Sequence, residues 1–524
     1  MQAMTSNINA GDQYISTITV TDGLGRIRAV KKDASINGVA GRIVSGWTQY
    51  DGLGRVSRGH LPTTESTNDI FWRIGPPEQG TPYTEYEYDC QDRTTLVKHP
   101  DGTTTRMDYS IAADPDGILR FHTAVTDQNG HVSHVYENAR KQKTAIVDAL
   151  SATTVFHYDN LGQLTETIDP ENHSTIHHYD SLGRRTQQTH PSSGTTTWEY
   201  DAAGNLLRQT QNDGQSISYQ YDYCRPTGIS YSSRPWNNVW YEYGHTGVNA
   251  GRIVKQQDAT GVQEFKYDYM GNVVCNRHTY VQPHSQRTLT LTTRWGYDRW
   301  GRVDSIVYPD GERVEYHYDR GGLLHDIQGY KVGTVGNTTY IREILYNRFG
   351  QRTSIIDGDY VMTTYDYDSL TLRLAHMRDI VINSNRTLQD NHYYYDAVGN
   401  IDSIVDSGYN HRIQRYAYDS ANRLVWSNGL IEPRGSADRP CYGVHYFYSP
   451  AGRLLNKTLD SWRMDASSGF HNVRYDNTYL YDNLDNPYAV LQIHNPDVPS
   501  FEFHWDGNGN LASSYSTTTQ SGRT

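Results

Sequence analysis

Cysteine is scarce in this sequence. Only four occur among 524 residues, at Cys90, Cys224, Cys275 and Cys441. Their spacing matches neither a metal-ligand motif nor a disulfide framework. Long hydrophobic runs are also missing: no stretch of 18 apolar residues occurs, which excludes a membrane-spanning helix. Residues 1–7 include neither a basic nor an apolar region, so no signal peptide is visible.

Aliphatic residues are few as well. The hydrophobic fraction is 36% even with tyrosine included, which argues against a thick aliphatic core, because ordinary domains contain about 45–50% apolar residues and glycine. The net charge of −12, from 47 basic and 59 acidic residues, argues against nucleic acid as the main partner. Tyrosine is abundant instead, with 43 copies against 10 Trp and 9 Phe. That many aromatic residues are not expected of a disordered chain.

A short motif, Tyr-Asp-x-x-Gly, recurs along the whole chain. Where the array is clean, the aspartates are 21 residues apart, as at Asp159, Asp180 and Asp201. Recurrence at a fixed period is typical of a repeat protein, and we interpret wider gaps as loop insertions or decayed copies. The structural residues predicted from the motif are Tyr50, Asp51, Gly54, Tyr158, Asp159, Gly162, Tyr179, Asp180, Gly183, Tyr200, Asp201, Gly204, Tyr297, Asp298, Gly301, Tyr395, Asp396 and Gly399.

One repeat, from Tyr158 to Tyr179, can be interpreted residue by residue. Residues 159–162 predict a turn, because Asp and Asn bond their own backbone and Gly accepts a positive φ. Residues 164–168 alternate and are rich in β-branched side chains, so they predict a strand. A second turn at 169–172 and a returning strand at 174–179 complete the unit. We therefore predict two short antiparallel strands and two tight turns for each repeat.

Aromatic residues also precede the repeat tyrosine by two positions, for example at Phe156 and Trp198. Positions i and i−2 of a strand lie on the same face, so stacked repeats would form two aromatic ladders. At two strands for each unit, we expect roughly 25–30 strands in total. No helical periodicity of useful length is present.

These motifs resemble the Rhs/YD-repeat family. Its consensus is similar to Tyr-Asp-x-Leu-Gly-Arg, present at Tyr179–Arg184, and to Tyr-Pro-Asp-Gly, present at Tyr308–Gly311. The resemblance implies an all-β fold of antiparallel YD-repeat hairpins in a long spiralling sheet, part of a hollow β-shell. In that family the shell encloses a C-terminal polypeptide, often a toxin, in polymorphic-toxin systems and toxin complexes.

The expected organisation is an N-terminal segment at 1–20, a repeat array at 21–512 and a flexible tail at 513–524. Insertions are expected near 61–84, 323–345 and 428–442. Complete bacterial relatives end in a core with an Asp-Pro-x-Gly-Leu motif and a self-cleavage site, and neither follows residues 505–511. The similar Asp114–Ile118 stands mid-array, so we interpret it as a turn. We expect a fragment that lacks the C-terminal core and toxin.

No unique reactive constellation stands out from the repeat. The repeat aspartates are explained by turns, and Asp506–Asn510 lacks the Gly and the distant Glu of a calcium loop. Gly52 and Gly54 lack the third glycine of a nucleotide fingerprint. The 22 histidines show no zinc spacing. We therefore predict no enzyme activity and no catalytic, cofactor-binding or metal-binding residues.

Two function classes remain open. The first is a structural shell around an enclosed or downstream polypeptide, and the second is a cell-surface interaction protein that binds carbohydrate on its aromatic faces. Both place the chain, as part of a larger protein, outside the cell or on its surface.

Overall fold

The described part of the chain is almost entirely β-strand. The computed structural model describes residues 2–8, 14–66, 79–282, 287–333, 336–408, 412–431, 441–465, 469–481, 486–495 and 500–517. Within these ranges the only helical segments are two 3-10 turns, Pro235–Asn237 and Gly247–Asn249. None of the helices in these ranges has the length and apolar character needed to cross a membrane. The predicted all-β class is confirmed.

The strands are numbered in chain order. The first nine are β1 (Gln2–Ile8), β2 (Tyr14–Thr21), β3 (Ile27–Ile36), β4 (Val39–Val44), β5 (Thr48–Tyr50), β6 (Val56–His60), β7 (Thr63–Ser66), β8 (Tyr83–Tyr88) and β9 (Thr94–Lys98). The next thirteen are β10 (Thr104–Ala113), β11 (Leu119–Thr126), β12 (Val132–Glu137), β13 (Lys143–Val147), β14 (Thr153–Tyr158), β15 (Leu164–Ile168), β16 (Ser174–Tyr179), β17 (Arg185–His190), β18 (Gly194–Tyr200), β19 (Leu206–Thr210), β20 (Ser216–Asp222), β21 (Arg225–Tyr231) and β22 (Val239–Tyr243).

The remaining strands continue the same pattern. Up to residue 406 they are β23 (Ile253–Asp258), β24 (Gly261–Tyr267), β25 (Val273–Val281), β26 (Thr288–Tyr297), β27 (Val303–Val307), β28 (Arg313–Tyr318), β29 (Leu324–Tyr330), β30 (Thr338–Tyr346), β31 (Arg352–Asp357), β32 (Val361–Tyr367), β33 (Leu374–Val381), β34 (Arg386–Tyr395) and β35 (Ile401–Asp406). The last are β36 (Arg412–Tyr418), β37 (Leu424–Ile431), β38 (Cys441–Tyr448), β39 (Leu454–Asp465), β40 (Gly469–Leu480), β41 (Gln492–His494), β42 (Ser500–Trp505) and β43 (Leu511–Thr517).

The strands form two sheets. The first sheet has five strands in the order β1-β2-β3-β4-β7. In the second sheet β5, β6, β8 and β9 are hydrogen-bonded in that order, and the strands from β10 to β43 are hydrogen-bonded in sequence order. The described pairs are antiparallel, as in β14 with β15 and β15 with β16. Sequential antiparallel pairing follows from the short turns, which can join only adjacent antiparallel strands.

A regular register shift accompanies the repeat. The pairing shifts immediately before the repeat tyrosine, for example between His157 and Tyr158 and between His178 and Tyr179. Each shift lies at the end of a hairpin closed by a turn whose last residue has a positive φ, such as Gly162 at 88°. This is the hairpin geometry in which a left-handed residue after a turn produces a bulge and increases the local twist.

The five-stranded sheet contains a small apolar cluster and two buried ion pairs. Val20, Ala29 and Val44 form the cluster, and Trp47 packs against it. The buried Lys31 lies with its Nζ atom 2.6 Å from Glu65 Oε1. The buried Asp33 pairs with Arg42, with 3.1 Å between Oδ1 and Nε.

The repeats bury comparatively little side-chain surface. The accessible area of the chain is 30909 Å², whereas a compact monomer of 59.7 kDa exposes about 19,000 Å². Most side chains of the repeat strands are partly exposed. The expectation that no thick aliphatic core forms therefore agrees with the structure.

The strand count was predicted wrongly. The described residues form 43 strands rather than roughly 25–30, because repeats without the strict motif fold in the same way. In Tyr346-Asn347-Arg348-Phe349-Gly350, for example, Asn347 replaces the aspartate, and its backbone carbonyl and amide form the same turn hydrogen bonds with Gly350 and Gln351. The expected insertion at 323–345 instead holds β29 and most of β30.

Three other expected boundaries differ from the structure in detail. The segment 61–84 includes β7, which pairs with β4 in the five-stranded sheet, while 67–78 lies outside the described residues. Strands extend into the expected loop at 428–442 as far as Ile431 and again from Cys441; 432–440 lies outside the described residues. The expected tail at 513–524 is strand up to Thr517.

The chain divides into two units. The first contains 1–105, 241–393 and 407–409, and the second contains 106–240, 394–406 and 410–524. The hairpin repeat builds both units.

Candidate functional site

The repeat turn is organised by its aspartate. In the turn after β16, Asp180 Oδ1 accepts hydrogen bonds from the backbone amides of Leu182, at 3.0 Å, and Arg184, at 2.9 Å. Its other oxygen, Oδ2, accepts a bond from the Arg184 side chain, with 2.6 Å to Nε. The aspartate therefore closes the turn, and the arginine four residues later completes it.

The arginine also contacts the following repeat. Arg184 Nη1 donates to the backbone carbonyl of Asp201 at 2.8 Å, and its guanidinium lies 4.9 Å from the centre of the Tyr200 ring. The Tyr200 hydroxyl donates back to the carbonyl of Arg185 at 2.9 Å. We call this set a repeat junction: the turn aspartate, the side chain four residues later, and the tyrosine of the following repeat.

The tyrosine bond of the junction recurs through both units. The tyrosine hydroxyl donates to a backbone carbonyl at 2.6–3.0 Å, and in every pair below except that of Tyr267 the acceptor lies five residues after the aspartate position of the preceding repeat turn. The donors and acceptors are Tyr50 and Ile27, Tyr88 and Val56, Tyr179 and Leu164, Tyr200 and Arg185, Tyr267 and Ile253, Tyr297 and Val273, Tyr318 and Val303, Tyr346 and Leu324, Tyr367 and Arg352, Tyr418 and Ile401, Tyr448 and Leu424, and Tyr481 and Leu454.

The residue four positions after the aspartate varies with little change in geometry. Arginine fills it beside Asp51 and Asp298, with Nε-to-Oδ2 distances of 2.7 Å in both. Asparagine fills it beside Asp201 and Asp396, with amide-to-carboxylate distances of 2.8 and 2.9 Å. Beside Asp159, Gln163 contributes its backbone amide at 2.8 Å. Neither a positive charge nor a side-chain donor is essential, because Leu323 bonds Asp319 through its backbone amide at 2.7 Å and the Tyr346 hydroxyl still donates to Leu324.

Hydrogen bonding and burial shift the pKa values of the junction residues in opposite directions. The backbone amide of Arg55 and its guanidinium hold the pKa of Asp51 below its ordinary value, and Arg184 does the same for Asp180. Burial raises the pKa of the tyrosines, for example of Tyr88 and Tyr318. At neutral pH Asp51 and Asp180 are thus ionised acceptors, and Tyr88 and Tyr318 are protonated donors.

All eighteen predicted structural residues lie at repeat turns or in the strands that precede them. The glycines have positive φ angles, which are 88° at Gly54, 88° at Gly162, 81° at Gly183, 91° at Gly204, 74° at Gly301 and 109° at Gly399. Tyr158 ends β14, where burial raises its pKa, and Tyr395 ends β34. The Tyr, Asp and Gly of each motif lie together at their own turn. The described motifs do not line one common pocket.

The motif look-alikes also form turns. Asp114 Oδ1 accepts the amides of Asp116 and Ile118, and Arg120 lies 2.9 Å from Oδ2, so residues 114–118 adopt the turn predicted for them. Asp506 binds the amides of Asn508 and Asn510 in the same way. Gly54 donates its backbone amide to the carbonyl of Asp51 within a repeat turn.

Two groups of residues were missed by the sequence analysis. One is a long-range contact in the second unit, where the Tyr488 hydroxyl donates to Asp169 Oδ2 at 2.5 Å. The other is the cluster His376, Asp390 and His392, in which one potential ligand atom of each residue lies within 4.8 Å of the others. Neither has a motif, because the residues come from different strands or from distant parts of the chain.

The described junctions link strands through one recurring set of hydrogen bonds. Where arginine or asparagine lies four residues later, as beside Asp180 and Asp201, both carboxylate oxygens accept hydrogen bonds, and the Tyr200 hydroxyl donates to a carbonyl. A nucleophile or general base would need an environment different from that of its neighbours. Fold and junction together define a class: a β-repeat protein with successive hairpins linked by side chains.

Comparison with known proteins agrees with that class. The RHS Repeat family model matches residues 179–210 and 200–225. The chain is 26% identical over 208 residues to toxin subunit YenC1 of Yersinia entomophaga, covering 33% of this chain and 21% of that protein. It is 25% identical over 252 residues to toxin subunit YenC2 of the same organism, covering 45% of this chain and 23% of that protein. The chain thus contains RHS repeats, and the resemblance to the Rhs/YD-repeat family is confirmed.

A further relative and a solved structure extend the comparison. Double-stranded DNA deaminase toxin A of Burkholderia cenocepacia (strain H111) is 26% identical over 254 residues, covering 41% of this chain and 16% of that protein. The crystal structure of TcdB2-TccC3-Cdc42 has a TM-score of 0.77 at 16% identity and covers 99% of this chain and 31% of that chain. The fold is therefore shared along almost the whole chain, which spans about a third or less of each of these proteins.

Proposed function

We propose that this chain is a section of wall in a hollow shell that encloses a polypeptide, as a structural component of a toxin complex. The observation that carries the proposal is the repeat junction, which links neighbouring hairpins at many points in both units. A barrier around another chain needs continuous backbone hydrogen bonding and few weak edges. The junctions supply continuity, because each one binds the backbone of a neighbouring repeat.

The comparisons support this role. The relatives YenC1 and YenC2 are named toxin subunits, and the fold is that of the TcdB2-TccC3 structure. Each of these three proteins is much longer than this chain. We propose further that the chain encloses a polypeptide, belongs to a toxin complex and acts outside the producing cell.

The proposed role is non-enzymatic. One relative is named a deaminase toxin, but the chain covers only 16% of that protein. The repeat junction repeats one saturated geometry many times. A wall performs its function by exclusion, so identical copies suit it better than one special pair of residues.

Protease protection tests the proposal. The assembly is isolated from its producing cells through an affinity tag on this chain and then treated with proteinase K. A copurifying polypeptide should survive until urea unfolds the wall. Digestion of that polypeptide at the same rate before and after urea would refute enclosure, as would a tagged chain that binds polysaccharide and carries no polypeptide.

A matched pair of variants connects the result to the junction. Tyr200→Phe with Tyr318→Phe removes two junction hydrogen bonds and should accelerate digestion of the enclosed polypeptide. Tyr269→Phe is the control, because the Tyr269 side chain is 95% exposed. Equal digestion rates for the double variant and the control would show that the junctions do not maintain the barrier.

A further inference from the structure

A cluster of histidine and aspartate side chains lies on one face of three adjacent strands in the first unit. His376 is on β33 and is directly opposite His392 on β34. The two imidazole rings stack with 4.2 Å between their centres and 8° between their planes. Asp390 precedes His392 by two residues, so its side chain is on the same face of β34.

The potential ligand atoms converge on Asp390 Oδ1. His376 Nε2 lies 2.5 Å from this oxygen, and His392 Nε2 lies 3.7 Å from it. A tetrahedral metal ion with bonds of about 2.1 Å separates its ligand atoms by about 3.4 Å. The two distances to Asp390 Oδ1 lie on either side of that value, and all three ligand atoms lie within 4.8 Å of one another.

A second carboxylate orients one of the histidines. Asp366, on β32, lies with Oδ2 3.1 Å from His376 Nδ1. When Nδ1–H donates to a carboxylate, the lone pair of Nε2 is directed to the other side of the ring. This is the second-shell arrangement that fixes the tautomer of metal-ligating histidines.

A competing cation is nearby, but it approaches a different oxygen. Arg378 Nε lies 3.7 Å from Asp390 Oδ2, whereas both histidines approach Oδ1. The cluster is also partly shielded from solvent: the side chains of His376 and Asp390 are 24% and 20% exposed. Partial shielding favours metal binding because fewer waters compete for the ligand atoms.

We propose that His376, Asp390 and His392 bind a divalent transition metal ion of the Zn²⁺ class. Two imidazole nitrogens and one carboxylate oxygen suit such an ion better than Mg²⁺ or Ca²⁺, which prefer oxygen ligands. Three protein ligands leave a fourth position for water. The ion would cross-link β33 to β34, with Asp366 holding His376 in position. The site does not depend on the proposed shell role.

Cobalt titration of the full chain tests the site. Co²⁺ bound by two imidazoles and a carboxylate should give visible absorption bands of tetrahedral coordination, saturating at one equivalent. Zn²⁺ should bleach these bands and raise the thermal unfolding temperature. Absence of the bands from the wild-type protein would overturn the proposal.

Variants separate this site from general histidine binding. His376→Gln and His392→Gln should each weaken Co²⁺ binding at least tenfold and remove the Zn²⁺-dependent rise in unfolding temperature. Asp366→Asn should weaken binding about 10- to 100-fold while keeping all three ligands. Circular dichroism of each variant should match the wild type.

The matched control is a second histidine pair. His122 and His134 are diagonal neighbours on adjacent strands, with 3.0 Å between Nε2 and Nδ1, and Ser110 Oγ lies 2.8 Å from His122 Nδ1. His134→Gln should leave the Co²⁺ spectrum and affinity unchanged. The proposal would be refuted if the double variant His376→Gln/His392→Gln kept the wild-type Co²⁺ spectrum. It would also be refuted if His134→Gln lost the absorption bands, because the metal would then bind at another place.

Discussion

At the residue scale, tyrosine serves this chain mainly as a partly buried hydrogen-bond donor. Its ring packs beside the guanidinium or amide of the preceding turn, and its hydroxyl reaches a main-chain carbonyl that the bulged register leaves available. Tyr318 shows both contacts: Arg302 lies 4.0 Å from its ring centre and Val303 accepts its hydroxyl at 2.7 Å. Phenylalanine could supply only the first contact, which explains why tyrosine occupies the junction positions.

Removal of one such hydroxyl should measure its contribution. Tyr318→Phe is expected to destabilise the surrounding repeats by about 1 kcal/mol, the usual net value of a neutral hydrogen bond. Urea denaturation gives the free energy of unfolding, and hydrogen exchange should show faster opening of β27 and β28. Tyr269→Phe provides the baseline, because its side chain is 95% exposed; equal losses in both variants would contradict the assigned role.

Histidine 157 should titrate above its ordinary range. Glu166, with Oε2 2.9 Å from Nδ1, and Asp116, with Oδ2 3.0 Å from Nε2, raise its pKa above 6.5 despite partial burial. A raised pKa in the folded state stabilises the fold fully below pH 6.5, and this contribution is lost as the pH rises through the folded-state pKa.

Histidine-selective NMR measures this effect. Glu166→Gln should lower the pKa of His157, because the carboxylate that favours the charged ring is gone. His122 is an internal comparison, since burial and the nearby His134 lower its pKa. If His157 titrates at or below 6.5 in the wild-type protein, the ion pairs seen here do not form in solution.

At the scale of the element, the hairpin is defined by its turn. The strand bounds predicted for the unit from Tyr158 to Tyr179 agree with β15 and β16 to the residue. This was possible because the turn depends on local chemistry: an Asp that accepts neighbouring amides and a Gly with positive φ. The turn at Asn347 was missed because asparagine can replace aspartate in that geometry.

A glycine substitution tests the turn. Gly183 has a φ of 81°, and a Cβ atom there would lie 3.0 Å from Gln163 Nε2. Gly183→Ala should cost roughly 1–2 kcal/mol, the penalty for an L-residue in the left-handed region, and should accelerate hydrogen exchange at Arg184. Gly52→Ala is the control, because no heavy atom lies within 4 Å of its added Cβ and its φ is not positive. Equal stability of the two variants would contradict the turn argument.

At the scale of the whole molecule, contacts between distant repeats add to those between neighbours. In the second unit, Tyr488 donates to Asp169, and its ring packs edge-on against His173 with 5.3 Å between centres. Arg453 pairs with Glu171 in the same region. Burial and the Asp169 carboxylate both raise the pKa of Tyr488. These contacts join turns that are about three hundred residues apart in the sequence.

Loss of the Tyr488 hydroxyl should loosen this region. Tyr488→Phe is expected to cost about 1.5–3 kcal/mol, since the bond is made to a carboxylate. Hydrogen exchange should accelerate in residues 169–173 and 486–490, and little elsewhere in the unit. Tyr223→Phe, at a side chain that is 89% exposed, should leave exchange unchanged. Unaltered exchange at 169–173 in Tyr488→Phe would show that the contact contributes nothing.

The sequence by itself determined the hairpin and the repeat, because turn chemistry and alternation act within about twenty residues, and the repeat motif carries the resemblance to the Rhs/YD-repeat family. The tertiary structure decided which distant residues come into contact, because the repeat period does not specify these contacts. It placed β7 beside β4, Tyr488 beside Asp169, and His376 beside Asp390 and His392. Each of these pairings depends on how strands line up across the sheet or on which turns meet at a distance. A repeat motif does not predict such long-range contacts, since every copy presents nearly the same residues to its neighbours.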